Sequence, residues 1–141
     1  MIVVDTSVWI DFFRDNATWQ VQHLAALITD DEPVALTDIV LTEVLQGFAS
    51  DRAARRVERR LLVFDVLRLD TLDDLRRAAA LYRRARSRGV TIRRTLDCLI
   101  ASVCIRHGAG LLHADADFDH LATCTDLRVL ARRRPDGLPA G

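Results

Sequence analysis

Met1-Ile2-Val3-Val4-Asp5-Thr6-Ser7-Val8-Trp9 opens the chain, and its reading decides the architecture. Ile2-Val3-Val4 is an unbroken β-branched run, the pattern of a strand buried on both faces. It ends at Asp5-Thr6-Ser7, whose short polar side chains suit the N-terminus of a helix carrying Val8, Trp9, Phe12 and Phe13. The same succession recurs: Val34-Ala35-Leu36 runs into Thr37-Asp38, and Leu111-Leu112-His113 runs into Ala114-Asp115-Ala116-Asp117-Phe118. Strand, polar cap, helix, repeated along a chain, is the arrangement that folds into parallel βα units.

Outward from these three points the remaining elements fall into place. A helix fits residues 17–29, with Val21, Leu24, Ala25 and Ile28 on one stripe, and Pro33 lies beyond its end. The helix begun at Thr37-Asp38 is expected to run to about Ser50, with an Arg-dominated helical stretch over 51–60 and a third strand over 61–67. Residues 71–88 predict a helix with Leu72, Leu75, Ala79 and Tyr82 inward, stopped by Gly89. Thr95 precedes a helix whose Leu96, Leu99, Ile100, Val103 and Cys104 share a face, ended by Gly108. Residues 127–130 make a last strand. The expected fold is therefore a three-layer α/β/α sandwich with a mainly parallel central sheet, one domain over 1–131 and a frayed C-terminal tail over 132–141.

Composition narrows the chemistry. With 141 residues, half of them hydrophobic, the chain can bury a core and is not disordered. No apolar run approaches the roughly 20 residues of a membrane helix, and the start lacks the basic and long apolar stretches of a signal peptide, so a cytoplasmic location is expected. All twenty basic residues are Arg, which excludes a Walker A loop, a Schiff-base enzyme, a protein kinase and a receiver domain. Charge is segregated: residues 1–50 carry −7, 51–96 carry +8, 97–126 carry −4 and 127–141 carry +3. Solvated helix faces account for part of this, but an acidic site flanked by an Arg-rich surface also suits a polyanion handled through metal ions. Cys98, Cys104 and Cys124 form no CxxC pair and read as buried free thiols.

In an open α/β sheet ligands bind beyond the carboxyl ends of the strands. Asp5 follows the first strand, and Asp115 and Asp117 follow the fourth, so they should meet at one edge. Glu43 and Asp97 sit inside apolar helical patterns; each alone has an ordinary explanation, a solvent-facing position for Glu43 and the positive helix end for Asp97. Together, so many carboxylates at one edge repel one another and either protonate or take up a divalent cation. With no lysine, and no Arg within a turn of Asp5, Glu43 or Asp115, simple salt bridging is a weaker answer. Hard oxygen ligands without Cys or clustered His point to Mg2+ or Mn2+, ions that activate water for phosphoryl chemistry.

Val4-Asp5-Thr6-Ser7-Val8-Trp9, Thr42-Glu43-Val44-Leu45-Gln46-Gly47, Asp97-Cys98-Leu99-Ile100-Ala101 and His113-Ala114-Asp115-Ala116-Asp117-Phe118 resemble, in order and spacing, the motifs of PIN-domain ribonucleases. Within that family the chain is most similar to the VapC toxins of bacterial toxin–antitoxin pairs, from residue 2 to about 130. The resemblance implies an endoribonuclease toxin dependent on Mg2+ or Mn2+, acting on structured RNA such as tRNA or rRNA. It also implies neutralisation by a cognate VapB-type antitoxin, and homodimerisation. Asp5, Glu43, Asp97 and Asp115 match the catalytic acids, with Asp5, Asp97 and Asp115 as metal ligands and Glu43 acting through water. Asp117, Thr6 and Ser7 match auxiliary positions, and Arg93 matches a basic position that meets RNA or antitoxin at the site mouth. Attack by the activated water would leave a 5′-phosphate and a 3′-hydroxyl.

The sequence departs from the family where Ala114 and Ala116 replace basic residues and His113 replaces a hydroxyl residue, which bears on RNA contacts rather than on the acids. His113 reads as a structural hydrogen-bonder before a proton donor, and Trp9, Phe12 and Phe13 as packing or dimer contacts before base-stacking groups. The competing class is a PIN-like module that has lost catalysis and only binds RNA or antitoxin; retention of all the acids argues against it. A carboxylate phosphatase of the Asp-x-Asp type does not fit, since Asp5 is followed by Thr6-Ser7.

Overall fold

A computed structural model describes residues 1–132. In chain order it contains β1 (Ile2–Val4), α1 (Thr6–Phe13), α2 (Trp19–Thr29), β2 (Val34–Thr37), α3 (Asp38–Gln46), α4 (Asp51–Leu61), β3 (Asp65–Leu67), α5 (Leu72–Ser87), α6 (Thr95–His107), β4 (Gly110–Leu112), α7 (Ala116–Cys124) and β5 (Arg128–Val129). The five strands form one parallel sheet in the order β3-β2-β1-β4-β5. The expected α/β fold with a parallel centre is what forms. The tail expected over 132–141 lies, but for Arg132, outside the described residues. Among the described residues no helix is long and apolar enough to cross a membrane.

The strand order sets the site. From β1 the chain moves outward through β2 to β3, then returns to place β4 on the other side of β1. The crevice between β1 and β4 is thus the switch point, where successive loops leave the sheet in opposite directions. β1 is central because it can be: Val3 and Val4 are fully buried, and Val3 pairs with Ala35 and Leu111 on either side. Trp9 is also fully buried; its Nε1 donates to the Val4 carbonyl at 3.1 Å, and its ring packs on Phe12, Phe13 and Phe64. The aromatic cluster is therefore packing, and it ties α1 to the strand that carries Asp5.

Several local expectations are corrected. α3 stops at Gln46 rather than Ser50, and Ser50 instead caps α4, its hydroxyl accepting from Ala53 N at 3.1 Å. β3 begins at Asp65, because Leu61 is spent as a fully buried residue of α4. On α5, Leu72 and Leu75 are exposed, and the buried stripe is Asp74, Ala78, Leu81 and Ala85. The two alanines let α5 approach α6 closely, and Asp74 finds polar partners there, so the more hydrophobic stripe loses to the better-fitting one. Leu96 is likewise exposed, while Cys98, Ile100 and Ala101 fill the α6 interface. Gly108 ends α6 at φ +60°, a left-handed backbone that favours glycine. All three cysteines are buried and free, as expected.

Candidate active site

Asp5 follows β1 and stands at the N-cap position of α1, but its side chain makes no capping bond. Its Oδ2 accepts from Ser7 Oγ at 3.4 Å, while Oδ1 is buried with no hydrogen-bond partner among the described residues. Burial pushes its pKa from 3.8 up to about 7; the Thr6 N–H opposes this, and the charges of Asp97 and Glu43 reinforce it. Glu43, on α3, is buried rather than facing solvent; Thr6 Oγ1 donates to its Oε1 at 3.0 Å. Asp97, in the first turn of α6, is fully buried, its Oδ2 has no partner among the described residues, and burial raises its pKa.

Beyond β4, Asp115 caps α7, its Oδ1 accepting from Asp117 N at 2.9 Å. Asp97, Asp115 and Asp117 each offer an oxygen lying within 4.8 Å of the others. The structure therefore brings the expected acids to one edge; Asp117 joins this closest group, whereas Asp5 stands beside it in the same cleft as Asp115. Asp5, Thr6, Ser7, Arg93, Arg94 and Asp115 line one open cleft of about 440 Å³. Unpartnered, buried carboxylate oxygens are hard donors of the kind a divalent cation takes, so the residues fit such an ion.

The expectation that salt bridging plays little part is corrected. Arg94 donates through Nη1 to Glu43 Oε2 at 2.9 Å and through Nη2 to Asp97 Oδ1 at 2.8 Å. Arg93 donates through Nη2 to Asp115 Oδ1 at 3.1 Å, and through Nε to Asp117 Oδ2 at 3.2 Å. Arg93 was expected at the mouth and is there, 71% exposed. Arg94 was missed; its position three residues before Asp97 on a helix start was the available signal. These two guanidiniums do not saturate the cluster, since Asp5 has neither and Asp97 keeps one oxygen open. His113 is buried, its Nδ1 accepts from Asp115 N at 3.0 Å, and its Nε2 faces Asp119 at 3.2 Å, which makes it a support for the β4–α7 turn. Burial lowers its pKa.

This geometry is a cluster of carboxylates at the carboxyl edge of a parallel sheet, and the chain is similar to known proteins. The family model of the PIN domain matches residues 2–123. Over 134 residues the chain is 37% identical to a VapC ribonuclease of Mycobacterium bovis and to ribonuclease VapC11 of Mycobacterium tuberculosis, covering 94% of this chain and 100% of each relative. The chain belongs to the PIN-domain family, among the VapC ribonucleases. In fold it is similar to VapBC2 from Rickettsia felis, solved bound to a promoter DNA fragment, with a TM-score of 0.73 at 17% identity over 92% of this chain and 98% of that one.

Proposed function

We infer that the protein is a cytoplasmic, Mg2+- or Mn2+-dependent endoribonuclease toxin that cuts structured RNA and is held inactive by a VapB-type antitoxin. The observation that carries the reading is the cluster formed by Asp5 after β1, Asp115 and Asp117 after β4 and Asp97 at the start of α6, with buried, unpartnered oxygens on Asp5 and Asp97. Asp97 and Asp115, with Asp5 and Asp117 alongside, would hold the cation, which supplies a water activated for attack and offsets charge on the phosphodiester. Glu43, held by Thr6, orients that water, and Ser7 holds the Asp5 carboxylate. Arg93 at the mouth, and the exposed arginines of α4 and α5, guide the RNA backbone by phosphate contacts and counterion release. The cut leaves a 5′-phosphate and a 3′-hydroxyl. The relatives' names support the ribonuclease, and the fold neighbours, which include VapBC assemblies and a toxin–antitoxin complex, support the pairing with an antitoxin.

The test is cleavage of tRNA and rRNA by the purified protein with and without a chelator. Cleavage should stop on chelation and return on adding Mg2+ or Mn2+. Activity indifferent to chelation overturns the metal-dependent reading.

A further inference from the structure

Among the described residues Arg94 is the guanidinium that bonds both Glu43 and Asp97, and the N-terminus it occupies does not call for it. It occupies the N-cap position of α6, yet its side chain makes no capping bond. Instead its two Nη atoms fork between acids from different helices, Glu43 at 2.9 Å and Asp97 at 2.8 Å. The oxygens it leaves untouched, Asp97 Oδ2 beside it and Asp5 Oδ1 nearby, are buried without partners. The guanidinium thus neutralises half of a donor set whose other half is open. Its own side chain is 47% exposed, whereas those of Glu43 and Asp97 are 7% and 0% exposed. The carboxylates cannot leave the pocket; the arginine can. A guanidinium held on Asp97 Oδ1 offsets part of the negative charge that would attract a dication to Oδ2, so the two compete.

We propose that Arg94 is a positioning residue with two stations: it bridges Glu43 and Asp97 in the metal-free protein, and swings onto an RNA phosphate when a divalent cation binds Asp97 beside it. The inference rests on the metal-dependent reading above. In the first station Arg94 keeps two buried acids paired, and so competes with a cation. In the second its planar fork, delivered to the cleft mouth, fits a phosphate.

The two stations predict effects of opposite sign for Arg94→Gln. Mn2+ binding measured by titration calorimetry on RNA-free protein should tighten about tenfold, because the competitor is gone. Single-turnover cleavage of a tRNA and rRNA mixture at saturating Mn2+ should nevertheless slow about tenfold or more, because the phosphate contact is gone. Arg94→Lys keeps the charge but cannot bridge two carboxylates with a fork, so it should fall between wild type and Arg94→Gln on both scales, and it serves if Arg94→Gln does not fold. Unchanged or weaker Mn2+ binding, or undiminished cleavage at saturation, overturns the proposal. If wild type binds no Mn2+, the metal-dependent reading falls and takes this one with it; if wild type binds Mn2+ and cleaves while both variants match it, only the role of Arg94 falls.

Discussion

Asp74 and Asp97 hold the same place in consecutive helices, the third residue of α5 and of α6, and neither side chain is exposed. Their surroundings are opposite. Asp74 is saturated: Oδ2 accepts from Asp70 N at 3.1 Å, and Oδ1 from Arg106 Nε at 2.8 Å and Arg77 Nη1 at 3.3 Å. Burial pushes its pKa up, but these donors outweigh burial and the carboxyl ends below its ordinary value. Asp97 has one oxygen on Arg94 and one on nothing, and there burial wins, helped by the charges of Asp115 and Asp117. A buried acid is therefore not in itself the mark of a functional site. Incomplete pairing is, because a fold tolerates an unpartnered buried carboxylate only where something else is meant to bind it.

The comparison can be broken most directly at Asp97. Asp97→Asn should lower RNA cleavage by about 100-fold or more while leaving the urea midpoint near that of wild type, since it removes a charge the fold already disfavours. Asp74→Asn should do the reverse: a loss of about 2–4 kcal/mol in urea unfolding, from an Arg106 left without its anion, with cleavage per folded molecule within a few-fold of wild type. Equal loss of stability in both variants would erase the distinction between the two acids.

Acid sharpens it further. Because the folded-state pKa of Asp74 lies below its unfolded value of 3.8, its contribution to stability is complete above that value and is lost as pH falls through the folded one. The stability gap between wild type and Asp74→Asn, measured by urea midpoints, should be full at neutral pH and shrink below pH 3.8. The smallest effect is at Ser102, whose buried Oγ donates to the Asp74 carbonyl at 2.8 Å. Ser102→Ala should cost about 0.5–1.5 kcal/mol, one hydrogen bond, with no change in cleavage.

Much of the site is legible along the chain because it is built from strand ends. Asp5 and Asp115 follow short apolar runs, so parallel strands alone suffice to carry them to one edge. What a linear reading gets wrong is which face of a helix turns inward. On α5, Leu72, Leu75, Ala79 and Tyr82 make as good a helical stripe as Asp74, Ala78, Leu81 and Ala85. Periodicity cannot choose between them, because the choice lies with Ser102 and Arg106 on α6, which give Asp74 partners. Arg94 is half legible: Asp97 stands three residues on, but its bond to Glu43 depends on α3 and α6 lying side by side, across 51 positions.

By its own local chemistry the sequence determined the alternation of strands and helices, the parallel sheet, and which acids would stand at its carboxyl edge; these follow from β-branched runs, caps and chain connectivity. Which of those acids are paired and which keep an unpartnered oxygen was settled by the tertiary packing. A long guanidinium side chain reaches several possible partners, and packing between helices distant in sequence selects the one it meets.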